Sequence, residues 1–191
     1  MVDQRSLLDV DWSQLPPPED DGAARHLAGT RLPELALIAT DGTSVSLAGL
    51  SGRTVVFAYP MTGKPGVALP EGWDLIPGAR GCTPHACAFR DLFAELREAG
   101  AANVFGLSTQ SPSDQKEAAE RLHLPFPLLS DAKLDLANAL RLPVMEVEGR
   151  TLLKRLAFVA DDGVITTVFY PVFPPDRNAG DVLAWLKAHP L

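Results

Sequence analysis

Gly81-Cys82-Thr83-Pro84-His85-Ala86-Cys87-Ala88-Phe89-Arg90-Asp91 holds the only two cysteines of the chain, five residues apart. Thr83 suits a helix N-cap, and Pro84 suits the first helical position, where its missing N–H is no loss. Beyond them Phe89, Leu92, Phe93 and Leu96 recur at i, i+3, i+4 and i+7, the apolar stripe of an amphipathic helix. Gly100 is a stop signal. The pattern predicts a helix over 84–98, with Cys82 just before its start and Cys87 about a turn inside. Cys82 then lies at the positive end of the helix dipole, beside unpaired backbone N–H groups, a setting that favours the nucleophilic thiolate. Cys87 has no such help, so the two thiols are expected to differ in role.

Were the helix to begin as early as Cys82, its geometry would put about 9 Å between the two Cα atoms, beyond the roughly 7 Å limit for a disulfide. Pairing would then require the first turn to unwind. Taken alone, the residues also permit a packed core Cys87 and an incidental Cys82. A soft-metal site on Cys82, His85 and Cys87 lacks a fourth ligand nearby and any Cys-x-x-Cys pair, so no metal is expected. His85 is expected to be an exposed first-turn residue rather than an acid or base. Arg90 and Arg80 fit either positive potential near Cys82 or simple solvation.

The segment Gly-Cys-Thr-Pro-x-x-Cys-x-Phe-Arg-Asp resembles the active-site segment of the peroxiredoxins, in their bacterioferritin-comigratory (Q-type) branch. The likeness runs from about Leu27 to the C-terminal helix. Leu32-Pro33-Glu34-Leu35-Ala36-Leu37 with Asp41-Gly42 is similar to the family's opening hairpin. Thr54-Val55-Val56-Phe57-Ala58-Tyr59-Pro60 is similar to the strand entering the active site, and Val104-Phe105-Gly106-Leu107-Ser108 to the next strand. Leu128-Leu129-Ser130-Asp131 resembles the loop into a further helix. Lys154 to Val159, followed by Asp161-Asp162-Gly163-Val164-Ile165, resembles the hairpin that carries the family's active-site arginine, matched here by Arg155.

The resemblance implies an α/β, thioredoxin-like three-layer sandwich around a central mixed sheet. It implies a thiol-dependent peroxidase for hydrogen peroxide or organic hydroperoxides, with Cys82 peroxidatic and Cys87 resolving it through an intramolecular disulfide. Arg155 would polarise the peroxide, and backbone N–H groups from Gly81 to Thr83 would bind its oxygens. The reductant implied is a thioredoxin-type or other dithiol, and no metal, flavin or nucleotide cofactor is called for. Two positions depart from the family's Pro-x-x-x-Thr/Ser-x-x-Cys: Leu75 and Ala79 stand where proline and a hydroxyl residue are usual. A Gly- and Pro-rich insertion, 61–80, with Trp73 inside it, separates Pro60 from Gly81. Either Pro60 and Thr62 replace the missing groups while the insertion loops out, or Pro77 covers Cys82 in a rearranged loop; the strand ending at Tyr59-Pro60 favours the first.

Two other functions fit the residues. A thiol–disulfide oxidoreductase is disfavoured by the spacing, since such enzymes use Cys-x-x-Cys. A redox sensor whose oxidation unwinds the helix is favoured by Ala79. At 191 residues and 46% apolar, the chain is one ordinary globular domain with a full core. A net charge of −7 argues against general nucleic-acid binding. No run of 18 apolar residues appears, so no membrane span is expected. Asp3, Asp9 and Asp11 interrupt any signal-like run after Met1-Val2-Asp3-Gln4-Arg5, and the sparse cysteines point to a reducing, cytoplasmic location. Residues 1–26 read as an N-terminal arm broken by Pro16-Pro17-Pro18-Glu19-Asp20-Asp21-Gly22, docked or frayed, before the domain at 27–191. A monomer and a homodimer are equally compatible. Strands are expected near 34–39, 44–48, 54–59, 103–108, 155–160 and 164–169, with further helices near 114–122, 131–140 and 179–188. The apolar stretch from Val168 to Pro175 fits an active-site wall, a subunit contact or plain packing.

Overall fold

The strand Arg53–Ala58 (β3) is buried at all six positions, which is why it reads as an unbroken β-rich run rather than an alternating one. Its side chains still alternate. Val56 and Ala58 join one apolar cluster, with Leu107, Phe158, Leu136 and Leu140. Val55, Phe57 and Tyr59 join another, with Cys82, Phe89, Leu96 and Leu186. A strand that feeds cores on both faces must be central, and the layers follow from it. The computed structural model describes residues 7–191, so the expectation for Met1–Arg5 lies outside the described residues.

Seven strands form one mixed sheet in the order β2-β1-β5-β4-β3-β8-β9. These are β1 (Leu37–Ala39), β2 (Ser44–Val45), β4 (Ala101–Ser108), β5 (Leu128–Ser130), β8 (Leu156–Asp161) and β9 (Val164–Phe169) around β3. β3, β4 and β5 run parallel, while β8 pairs antiparallel with β3 and with β9. Helices α1 (Cys82–Asp91), α2 (Phe93–Glu98) and α5 (Asn178–Ala188) supply buried residues to the face with Phe57; α4 (Asp135–Leu140) covers the other. α3 (Pro112–Arg121) connects β4 to β5, capped by the Ser111 hydroxyl, which accepts from the Asp114 N–H. This is the expected thioredoxin-like sandwich.

Several boundaries differ from the sequence expectation. The first helix begins at Cys82, not after Thr83: Gly81, at φ 105° and ψ 20°, is the N-cap, a conformation few L-residues adopt. Pro84 is then the third helical residue, still within the turn whose N–H groups have no intrahelical partner. The helix also breaks at Leu92, where φ −100° and ψ 10° divide the predicted 84–98 into α1 and α2. α4 starts at Asp135 rather than 131, because the Asp131 carboxylate accepts the N–H groups of Leu136 and Ala137 from outside the helix. The turn at Leu47–Gly49 cuts short the strand expected over 44–48.

Three strands were not foreseen. β5 is only three residues of buried apolar chain after Pro127, too short to carry a period. A separate hairpin, β6 (Val144–Val147) and β7 (Arg150–Leu153), turns through Glu148 and Gly149 at φ 49° and 73°. Its signal was an X-Gly pair between apolar runs, with Glu in place of the usual Asn or Asp. The insertion packs onto this hairpin: Trp73 and Ala79 share a small core with Val147 and Leu152.

Gly106 lies in β4 where a Cβ would strike Leu128 and approach Phe57 to 2.9 Å. We expect Gly106→Ala to cost about 1–3 kcal/mol of stability through overpacking, read as a lower urea midpoint at unchanged slope.

Candidate active site

The junction between β7 and β8 places Arg155 inside the protein, although it carries an obligatory charge; it is 3% exposed. Every contact of its two Nη groups is with an acceptor. Nη2 donates toward the carbonyls of Gly78 (3.3 Å), Ala79 (3.1 Å) and Arg80 (3.3 Å) and toward Sγ of Cys82 (3.2 Å). Nη1 donates to Nδ1 of His85 at 2.9 Å. Nε is buried and has no partner. Among the described residues no carboxylate pairs with this guanidinium, so Cys82 is the one neighbour that can supply a negative charge.

His85, expected to be exposed, is fully buried and belongs to the same network. It follows Cys82 by three positions, so both side chains face the same side of α1. Because arginine can only donate, Nδ1 must accept; Nε2 then carries the proton and donates to Oδ1 of Asn178 at 2.8 Å. Burial pushes the imidazole well below its usual 6.5, and the Arg155 charge adds to that, so the ring is neutral. Its rings neighbours are Phe57 and Phe89, with centroids 5.0 Å and 5.4 Å away. With both nitrogens engaged, His85 cannot complete a metal set with the cysteines. Asn178 opens α5, so the chain of bonds ties β8's approach, the first turn of α1 and the last helix together.

The remaining sequence candidates fall around this centre. Gly81 and Thr83 flank Cys82 in the first turn of α1. A Cβ on Gly81 would meet the Trp12 ring at 2.7 Å and Pro175 at 2.9 Å, so glycine is required there by space as well as by φ. Pro60 is buried at the end of β3. The Thr62 hydroxyl donates to Oε1 of Gln110 at 3.2 Å, and its N–H to the same oxygen at 2.8 Å, so this hydroxyl serves the loop. Ala79, where a hydroxyl was missing, is buried and contributes its carbonyl to Arg155. Cys87 is 7% exposed and unbonded to Cys82. Burial raises its thiol above the ordinary range, against a smaller opposing effect of Arg90. Arg90 itself donates to Asp91 and to the Leu122 carbonyl at 2.9 Å.

Sequence reasoning missed His85, Asn178 and Trp12 as parts of this site. The arm docks: Trp12 Nε1 donates to Asp176 at 3.0 Å and its ring meets Phe173 edge-on. Further along, Asp21 accepts from Lys154 Nζ and from the Tyr170 hydroxyl, each at 2.7 Å. The Val168–Pro175 stretch is therefore in part a wall over the N-cap of α1.

Comparison with known proteins places relatives over nearly the whole domain. The Redoxin family matches residues 27–183. Chloroplastic peroxiredoxin Q of Gentiana triflora is 32% identical over 92% of this chain and 76% of its own length. Peroxiredoxin Bcp of Escherichia coli is 33% identical over 85% of this chain and 96% of its own. Among solved structures, peroxidoxin BcpB from Mycobacterium tuberculosis superposes with a TM-score of 0.69 at 30% identity, covering 86% of this chain and 98% of that one.

The neutral His85 gives a signed pH test. The unfolded chain binds a proton at this residue below about 6.5 and the native state does not, so its contribution to stability is full above that pH and is lost below it. Lowering the pH from 7.5 to 5.5 should therefore destabilise the native protein on this account. In His85→Gln that part of the pH dependence should vanish, which urea melts of both proteins at the two pH values would measure.

Proposed function

The chain belongs to the peroxiredoxins, in their Q-type branch, and is a thiol-dependent peroxidase; we propose that Cys82 is its peroxidatic thiol, Cys87 its resolving thiol and Arg155 the group that polarises the peroxide. The observation that carries this is the buried guanidinium 3.2 Å from Sγ of Cys82, with no carboxylate among the described residues to compete for its charge. As a thiolate, Cys82 attacks one oxygen of the hydroperoxide. An S–O bond forms as the O–O bond breaks, the departing alkoxide or hydroxide takes a proton, and the sulfur becomes a sulfenic acid. Arg155 offers positive charge where the leaving oxygen develops its negative charge. Its Nε–H, unpaired in the protein, gains an acceptor when a peroxide oxygen arrives. The backbone N–H of Thr83, in the first turn, is a second donor, while Gly81 and Pro60 shape the approach.

The sulfenic acid then condenses with the Cys87 thiol, forming the disulfide and releasing water. Burial keeps Cys87 protonated until that step. Because α1 already begins at Cys82, helical geometry holds the Cα atoms about 9 Å apart, so the first turn must unwind before the sulfurs meet. An external dithiol of the thioredoxin type reduces the disulfide by exchange and returns the enzyme to its starting state. Two unpaired thiols fit a reducing, cytoplasmic compartment. No helix among the described residues is long and apolar enough to cross a membrane.

Cys82→Ser should abolish turnover of hydrogen peroxide in an assay coupled to thioredoxin; retention of most of the rate would reject its role. Cys87→Ser should consume about one equivalent and then stall, with intact mass showing added oxygen on Cys82 instead of the loss of about two hydrogens expected for a disulfide.

A further inference from the structure

The N-terminal arm crosses the segment that has to move if Cys82 is to reach Cys87. Leu7 is buried against the insertion, so close to Gly63 that a Cβ there would meet it at 2.7 Å. Pro18 stands 3.4 Å from where a Cβ on Gly78 would be, and the Trp12 ring lies with Pro175 against Gly81. Gly78 and Gly81, at φ 77° and 105°, bracket Ala79 and Arg80, whose carbonyls face Arg155. The arm therefore covers both left-handed glycines next to the reacting sulfur. The Redoxin match begins at residue 27, so this cover lies outside the matched region.

Unwinding the first turn of α1 starts by breaking the bond from the His85 N–H to the Gly81 carbonyl, 3.0 Å, the first i→i−4 bond of that helix. The chain then turns at Gly81, and a glycine has that freedom only where space allows it. Here the Trp12 ring and Pro175 fill the space. Trp12 is itself held in place. Its Nε1 donates to Oδ2 of Asp176 at 3.0 Å, its ring meets Phe173 edge-on, and the Asp11 carboxylate accepts from the Ser13 N–H to cap the short turn it opens. The far end of the arm is tied by Asp21 to Lys154 and Tyr170. All of these polar ties are solvent-exposed, where water competes for each, so the arm is closed but releasable.

We propose that Trp12 is a positioning residue for the resolving step: the arm is a strap over Gly78 and Gly81 that must lift before Cys87 meets the sulfenic acid of Cys82. The inference rests on the peroxidase function above and adds what controls its second step. A closed strap prolongs the life of the sulfenic acid. Its sulfur then has time to attack a second peroxide, forming another S–O bond as the O–O bond breaks and leaving a sulfinic acid and water. In full-length protein mixed with hydrogen peroxide, rapid quenching and intact mass separate sulfenic acid, disulfide and sulfinic acid. Trp12→Ala should speed conversion of sulfenic acid to disulfide about tenfold, the scale set by one lost aromatic contact, and lower the sulfinic fraction by a similar factor. Trp12→Phe, which keeps a ring over Gly81 without the indole N–H, should fall between. Gly106→Ala, strained in the core away from the strap, should leave the conversion within about twofold, which separates release of the strap from loss of stability. Independently, the Trp12 indole N–H resonance, assigned by its loss in Trp12→Phe, should move when the unmodified protein passes from dithiol to disulfide. Conversion no faster in Trp12→Ala than in the unmodified protein overturns the strap and leaves the peroxidase function standing. An unmoved indole resonance, or an equal gain in Gly106→Ala, overturns it too. If the unmodified protein consumes peroxide without forming the disulfide, the resolving role of Cys87 falls and the strap with it.

Discussion

The buried charge of Arg155 is the constraint on which the site depends. A guanidinium cannot give up its proton, so a fold that buries it must surround it with acceptors. Here they are the carbonyls of Gly78 to Arg80, the Nδ1 of His85 and the sulfur of Cys82. Together the acceptors tie two adjoining segments of the chain to Arg155. The carbonyls fix the end of the insertion, His85 and Cys82 fix the first turn of α1, and Asn178 behind His85 fixes the start of α5. Nη2 has only two hydrogens for four acceptors, so those contacts are shared rather than four full bonds.

The same helix start serves two opposed needs. Beginning α1 at Cys82 puts the sulfur against Arg155 and at the positive end of the helix, which suits attack. It also holds Cys87 on a different side and too far away for a disulfide. On the proposed mechanism, attack and resolution require two conformations of the first turn, and the described structure is the one with the Cys82 sulfur against Arg155. Gly81 is the residue between them, confined by Trp12 and Pro175 on its outer side. Ala79 shows how the chain manages without the hydroxyl its family usually has there: the backbone carbonyl at that position holds Arg155, and the side chain packs with Trp73.

The outer shell of the site is assembled late in the chain's logic, from pieces with no local tie to Cys82. The arm, the 61–80 insertion and the β6–β7 hairpin each lack a full core of their own. They pack over one another and over Arg155. Charge pairing at Asp21 and packing at Trp12 secure the arm, and the small core around Trp73 secures the insertion.

Much of this was legible in the sequence. The period-two and period-3.6 patterns located β3, β4, β8, β9 and the main helices, and the Thr-Pro start placed the cysteine-bearing helix within two residues of where it begins. Local patterns carry that information because a strand or helix advertises its buried face at short range. The breaks at Gly81 and Leu92, the three-residue β5 and the Glu-Gly hairpin were not legible, since each is set by backbone dihedrals or by pairing with remote strands. His85 is the clearest case. As a lone histidine after proline in a first turn it reads as a surface residue. Only packing shows that it is neutral, buried and bonded to Arg155 and Asn178, 70 and 93 positions away. The sequence by itself determined the fold and where the two cysteines sit relative to a helix start, because those depend on neighbours along the chain. Tertiary structure alone decided what surrounds that sulfur, because a buried charge takes its partners from whatever the packing brings within hydrogen-bond reach.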